Sequence, residues 1–199
     1  IAGPSELVLV ADESMDPDLA AADLVAQAEH APGSSLLLTT SKQLIVDVQH
    51  ALGRLLPTLS RSEAARESLL QYGALVHLSD MKSVIAMTNR IAPEHLQLAI
   101  RDARERVDAF HAAGAIFIGS QTPVALGDYV AGPSHVLPTG GTARFSNGLS
   151  ANSFMRSTSI IEFEQQAVAD VADALAELAQ REGLTAHRHS VDIRVRDQS

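Results

Sequence analysis

The sequence of 199 residues contains no cysteine and no tryptophan, and it has only five Phe and two Tyr. Without cysteine, disulfides, thiolate metal sites and cysteine nucleophiles are excluded. A net charge of −9 and few aromatic side chains argue against nucleic-acid binding, which uses basic patches and stacking platforms. No apolar run reaches the roughly 18 residues of a membrane span. We therefore expect a cytoplasmic protein that binds neither nucleic acid nor membrane.

Several sequence signals are also missing. No secretory signal peptide opens the sequence, and no initiator Met precedes Ile1. Because the first residues lead directly into an apolar run, we expect a piece of a longer polypeptide. No G-x-G-x-x-G fingerprint, P-loop, zinc-protease helix or nucleophile elbow is found in the sequence.

Apolar patterning predicts alternating strands and helices over the first part of the chain. The predicted strands are 6–11, 36–39, 74–78, 96–100 and 115–118. The predicted helices begin after the N-caps Asp16, Ser41 and Ser79, and two more cover 62–72 and 102–113. Near-continuous apolar strands separated by helices predict an α/β fold, a Rossmann-like sheet with helices on both faces.

The pattern changes after Gly119. Residues 120–148 are rich in Gly and Pro, which is typical of a long functional loop. A strand over 159–163 and an amphipathic helix over 164–182 are predicted next, and the tail 187–195 fits strand or helix. We therefore predict an α/β domain over 1–148 and, over 149–199, a C-terminal helical appendage that packs on a partner subunit.

Two pairs of polar residues stand at ends of predicted helices. Gln27 and His30 share a helix face, a spacing that suits two ligands of one metal, although a polar helix end explains it better on its own. Glu94 and His95 follow Pro93 and offer two proton-transfer groups, or else form an ordinary helix–strand turn. Both interpretations of the second pair stay open.

Further candidate ligands lie later in the chain. Asp128 and His135 stand on the long loop and, with His30, could form a mixed nitrogen and oxygen site for zinc, manganese or cobalt. Glu182 and His187 form a polar pair near the end of the long helix. The remaining histidines, for which we predict no site role, are His50, His77, His111 and His189.

Six short stretches together resemble the histidinol dehydrogenase family. They are Ile1–Glu6, Gln27–His30, Ala92–Leu96, Gly127–Tyr129, His135–Gly140 and Leu184–His187. Each is unspecific by itself, but all six occur in the family's order and with near-family spacing. The resemblance covers essentially all 199 residues and corresponds to the C-terminal half of the family's chain.

The resemblance implies an oxidoreductase of histidine biosynthesis. It implies oxidation of L-histidinol to L-histidine, through histidinaldehyde, in two NAD-dependent steps. One zinc per active site would be bound by Gln27, His30, Asp128 and His187, which thereby also contact the substrate. Glu94 and His95 would be the acid–base pair.

The resemblance further implies substrate contacts of Ser5, His95, His135 and Glu182. It also implies a homodimer that exchanges its C-terminal segment. Because the NAD contacts would lie upstream of this chain, the isolated chain is expected to be inactive.

Two other functions remain open from the sequence. A zinc-dependent hydrolase could use Glu94 to activate water. A non-catalytic module could bind a metal or an imidazole through the same residues. Formation of NADH from histidinol by the complete protein would exclude the first, and turnover beyond binding would exclude the second.

Overall fold

A parallel sheet of five strands forms the centre of the computed structural model, which describes residues 3–195. The strands are β1 (Ser5–Ala11), β2 (Gly33–Thr39), β3 (Gly73–His77), β4 (His95–Ala99) and β5 (Ala115–Ile118). Their order across the sheet is β3-β2-β1-β4-β5, which is the order of a Rossmann-type sheet. The predicted α/β class is confirmed.

Eight α-helices accompany the sheet in the described residues. They are α1 (Pro17–Ala28), α2 (Lys42–Leu55), α3 (Ser62–Tyr72), α4 (Met81–Ile91), α5 (Ala103–Arg106), α6 (Ala125–Tyr129), α7 (Gln165–Arg181) and α8 (Thr185–Val195). Two predicted N-caps are present. Asp16 accepts a hydrogen bond from the Asp18 N–H at 2.8 Å, and Ser41 accepts one from the Leu44 N–H at 3.2 Å. These bonds satisfy backbone donors that a helix start leaves free.

The core lies on both faces of the sheet. Successive side chains of a strand point to opposite faces, so a strand covered on both sides is apolar throughout. On one face Val8 and Leu96 pack with Val84 of α4. On the other face Leu9 and Leu37 form a cluster with helices α1 and α2. Ser35, Thr39 and Gln97 are the fully buried polar side chains among these strands.

Two predicted helices differ from the observed ones. Helix α4 is capped by Asp80 instead of Ser79, because the Asp80 carboxylate accepts from the Ser83 N–H at 2.8 Å. The helix predicted over 102–113 is only α5 followed by a short 3₁₀ turn, Val107–Ala109. Phe110 then turns into the core with 2% of its surface exposed, which ends the helical run.

After the long loop, helices are the only regular secondary structure in the described residues. The strand predicted over 159–163 was wrong, since this segment has no regular structure and 93% of Ile160 is exposed. The ambiguous tail is helical as α8.

Contacts divide the chain into a first unit up to Phe154 and a second unit from Met155. Whether 1–148 and 149–199 are separate domains stays a prediction. No helix in residues 3–195 combines the length and apolarity needed to cross a membrane.

Candidate active site

A network of carboxylates lies at the amino-terminal ends of β1 and β4, two inner strands of the sheet. These strands are parallel neighbours, so the start of β1 at Ser5 lies close to the start of β4. The Ser5 hydroxyl donates to Oε2 of Glu94 at 2.8 Å, and the Glu6 N–H donates to the same oxygen at 3.0 Å. Two donors on one oxygen fix the Glu94 carboxylate. Glu94 is also buried, with 7% of its surface exposed.

The backbone before Glu94 is shaped to present it. Helix α4 ends at Ile91. The next residue, Ala92, caps it in a left-handed conformation with φ 53° and ψ 61°, and Pro93 prevents the helix from continuing. Glu6 supports the turn from β1, since its Oε2 accepts from the Glu94 N–H at 3.4 Å and its Oε1 from the Gly140 N–H at 2.9 Å. The side chain of Glu6 thereby connects the long loop to the amino-terminal ends of β1 and β4.

His95 is buried next to this network. Its Nδ1 lies 3.6 Å from Oε2 of Glu94 and has no hydrogen-bond partner, and its ring meets that of Phe117 edge to face at 5.9 Å. Burial lowers the pKa of His95, against the opposing charges of Glu94 and Asp128. Burial therefore favours the neutral imidazole, the form that can accept a proton.

A cavity between α1 and α6 is lined by several of the predicted residues and by Asp23. Asp23, Gln27 and His30 line it from α1 or directly after it, and Asp128 lines it from α6. Gln27 is buried, with 3% of its surface exposed, and its Nε2 has no hydrogen-bond partner. The structure thus brings together three of the four predicted zinc ligands.

The donors of this cavity fit a zinc ion. In residues 3–195 no three His, Asp or Glu side chains come together as a metal-binding group. The amide oxygen of Gln27 supplies the additional donor, beside the His30 imidazole and the Asp128 carboxylate. Such a nitrogen and oxygen set with one open position is compatible with zinc. The unpartnered atom of the Gln27 amide is its nitrogen Nε2, which needs a hydrogen-bond acceptor, while the amide oxygen is the atom that a metal would use.

The remaining predicted residues lie elsewhere. His135 is exposed on the irregular segment after α6 and does not line the cavity described above. Glu182 and His187 belong to the second unit, where they line one groove with Leu175 and Leu178. Their role at a metal or substrate stays a prediction.

Four residues around the site were not predicted from the sequence. Asp23 stands one helical turn before Gln27, and this spacing could have identified it from the sequence. Its partner Gln97, and likewise Glu6 and Phe117, come into contact with the site only through the sheet. No local pattern marks them, since their contacts join residues far apart in sequence.

Comparisons with known proteins agree with this geometry. The family model described as Histidinol dehydrogenase matches residues 1–195. The chain is 49% identical to a histidinol dehydrogenase of Rhodopirellula baltica, over 97% of this chain and 42% of that protein. It is 48% identical to one of Desulfotalea psychrophila, over 98% of this chain and 45% of that protein.

A solved structure gives the same result. The crystal structure of histidinol dehydrogenase from Elizabethkingia anophelis matches with a TM-score of 0.86 and 34% identity, covering 98% of this chain and 45% of that one. The chain spans less than half the length of the relatives it matches. A family model that matches nearly every residue, with this identity and shared fold, leads to one conclusion: the chain belongs to the histidinol dehydrogenase family.

Proposed function

We propose that the complete protein containing this chain oxidises L-histidinol to L-histidine, through histidinaldehyde, in two NAD-dependent steps. The observation that carries the proposal is the pairing of a fixed carboxylate with a buried neutral imidazole, Glu94 and His95, beside a cavity with metal-type donors. Membership of the family adds the substrate and the cofactor to this geometry.

In the first step the alcohol loses a proton from its hydroxyl group and a hydride from its carbon. NAD, when bound, accepts the hydride in each of the two steps. His95 takes the hydroxyl proton, because burial keeps its imidazole neutral and its Nδ1 has no other partner. A positioned base of this kind typically contributes about 10² to 10⁴ in rate.

In the second step the aldehyde adds water, and the hydrate then loses a second hydride to give the carboxylate. Glu94 activates that water by taking its proton. Ser5 and Glu6 hold Oε2 of Glu94, so the hydrogen bonds within the described residues leave Oε1 for the water. Fixing one oxygen and leaving the other to react keeps the carboxylate in a defined position.

Gln27, His30 and Asp128 would hold one zinc ion per active site, with His187 as the fourth ligand. Zinc has no redox chemistry, so its contribution when bound is to orient the substrate's imidazole and amine. The same four residues would therefore touch the substrate as well, together with Ser5. His135 and Glu182 complete the proposed substrate contacts.

The complete protein is proposed to be a homodimer in which the C-terminal segment, with Glu182 and His187, enters the partner's site. The support is that apolar side chains of this segment are exposed in the single chain, with 64% of Leu178 and 79% of Ile161 accessible. Such surface is usually covered by an association. The NAD contacts are assigned to the upstream part, and a cytoplasmic location fits soluble metabolites as substrates.

The proposal is tested with the purified complete protein, histidinol and NAD. We expect two NADH formed per histidinol consumed and histidine as the product. A His50→Ala variant, changed on an exposed face of α2, is the control and keeps this ratio. Hydrolysis of an ester or amide without NADH would support a hydrolase instead and contradict the proposal. The isolated 199-residue chain is expected to form no NADH.

A further inference from the structure

A buried polar contact lies directly beside the proposed zinc ligands. Gln97 of β4 is fully buried, and its Nε2 donates a hydrogen bond to Oδ2 of Asp23 at 2.8 Å. Asp23 precedes Gln27 by one turn of α1, so the two side chains share a helix face and line the same cavity. Neither Asp23 nor Gln97 has a part in the chemistry described above.

Stability does not explain this contact. In the sheet, Gln97 is registered between Leu9 of β1 and Phe117 of β5, so the amide stands in an apolar layer. Burying an amide and a carboxylate costs free energy unless all their hydrogen bonds are made. Here Oε1 of Gln97 is left without a partner. An apolar side chain at position 97 would avoid that cost, so the stability of the sheet does not account for the pair.

The unsatisfied amide of Gln27 lies near this pair and offers an explanation for it. Its Nε2 is buried and has no hydrogen-bond partner, so a donor is left unsatisfied beside the cavity. When the amide oxygen binds a metal, the nitrogen must turn to an acceptor on the other side. The Asp23 carboxylate, which lines the same cavity, stands four residues earlier on α1, at a spacing where Gln and Asp side chains hydrogen-bond. Only Oδ2 of that carboxylate is engaged by Gln97.

We propose that Asp23, held in place by Gln97, is a positioning residue that accepts a hydrogen bond from Nε2 of Gln27 and so turns the Gln27 amide oxygen toward the metal. The inference rests on the proposed function, since it takes Gln27 as a zinc ligand. Hydrogen bonds of this kind, one layer outside a metal, orient the ligands, and losing one lowers metal affinity by about 10- to 100-fold.

The experiment measures zinc affinity of the complete, metal-stripped protein by competition with a chelator. Asp23→Leu removes the acceptor, so we expect about 10- to 100-fold weaker zinc binding and a changed visible spectrum of the cobalt-loaded protein. Asp23→Asn keeps one acceptor oxygen while removing the charge, so it restores most of the affinity and the parent spectrum. Asp18→Asn, on an exposed turn of the same helix, is the matched control and changes neither.

The variants separate hydrogen bonding from charge and from folding. Equal weakening by Asp23→Leu and Asp23→Asn would mean that only the charge matters and would overturn the proposal. Gln97→Met removes the support of Asp23 without opening a cavity, and we expect a smaller loss of zinc affinity in the same direction. If Asp23→Leu lowers the melting temperature of the metal-free protein, the zinc affinity of Gln97→Met still tests the proposal.

A last variant distinguishes failure of the inference from failure of the proposed function. Gln27→Ala should lose zinc in any case. If it does, and Asp23→Leu and Gln97→Met bind zinc like the parent, the positioning role is wrong and the proposed ligand set stands. If Gln27→Ala keeps full zinc affinity, the proposed zinc site is itself wrong, and the role of Asp23 is rejected with it.

Discussion

The sheet region, residues 5–118, and the C-terminal region, residues 155–195, differ in how far their apolar side chains are exposed. In β1 the residues Leu7–Ala11 are each at most 1% exposed. In the C-terminal region Ile160 is 93% exposed and Ile161 is 79% exposed. Adjacent apolar residues thus occur in both regions, and they differ in how much of their surface the chain covers.

This comparison separates a region that completes its own core from one that does not. Helices α1, α2 and α4 cover both faces of the sheet within the chain. In α7 the apolar stripe includes Leu175 and Leu178, and Ala179 is its one buried residue. The proposed chemistry divides in the same way, because Glu94 and His95 belong to the sheet region while Glu182 and His187 belong to the C-terminal one.

The largest expected effect tests whether the C-terminal region serves another copy. We mix a His187→Asn variant of the complete protein with a Glu94→Gln variant, each nearly inactive alone. Mixed dimers regain one intact site, so activity should rise to about a quarter of the parent level after random exchange of subunits. Activity that stays at the level of the two separate variants would show that each chain builds its own site.

The second prediction compares the two regions by kinetics. Glu94→Gln should slow the aldehyde-to-acid step by about 10² to 10⁴, and the alcohol step less, because the water loses its base. Glu182→Gln removes a proposed substrate contact and should raise KM with little change in kcat. Rates from histidinol and from histidinaldehyde are measured separately. Equal slowing of both steps by Glu94→Gln would refute its assignment.

The third prediction concerns stability. Leu37→Ala opens a cavity in the sheet core and should cost about 2–5 kcal/mol in free energy of unfolding. Leu178→Ala, at a site that is 64% exposed, should change it by less than about 0.5 kcal/mol in dilute, dissociated protein. Urea unfolding measures both. Losses of similar size would mean that the chain itself covers the stripe of α7.

The fourth and smallest prediction uses two glycines. A Cβ at Gly127 would lie 2.6 Å from the Phe117 ring, which packs against His95, so Gly127→Ala should cost about 1–3 kcal/mol in free energy of unfolding. Gly53 in α2 has no atom near the added methyl group, and Gly53→Ala should add about 0.5–1 kcal/mol. Thermal or urea unfolding decides the signs. Stabilisation by both changes would contradict the close contact at Phe117.

Local signals predicted much of the sheet region. Asp16 and Ser41 are found as helix caps, and β5 has the predicted bounds, because capping and apolar runs depend on near neighbours. The family itself followed from six short motifs and is confirmed by the comparisons. The helix predicted over 102–113 was wrong because Phe110 is drawn into the core, a tertiary effect.

The site was predictable only in part. Motif residues such as Gln27, His30 and Asp128 were named from the resemblance, and they line one cavity. Gln97, which contacts Asp23, and Glu6, which contacts Glu94, were missed, because the order of the strands brings these side chains to partners far away in sequence. The strand predicted over 159–163 was wrong since its β-type composition finds no strand partner in the described chain. Strand structure requires such a partner.

The zinc content of the complete protein tests the central claim most directly. The claim is that Gln27, His30 and Asp128, which line the cavity between α1 and α6, are metal ligands of the family's active site. Metal analysis should find about one zinc per chain in the parent and in His50→Ala, and much less in His30→Ala, Gln27→Ala and Asp128→Ala. Equal zinc in all five proteins would contradict the claim.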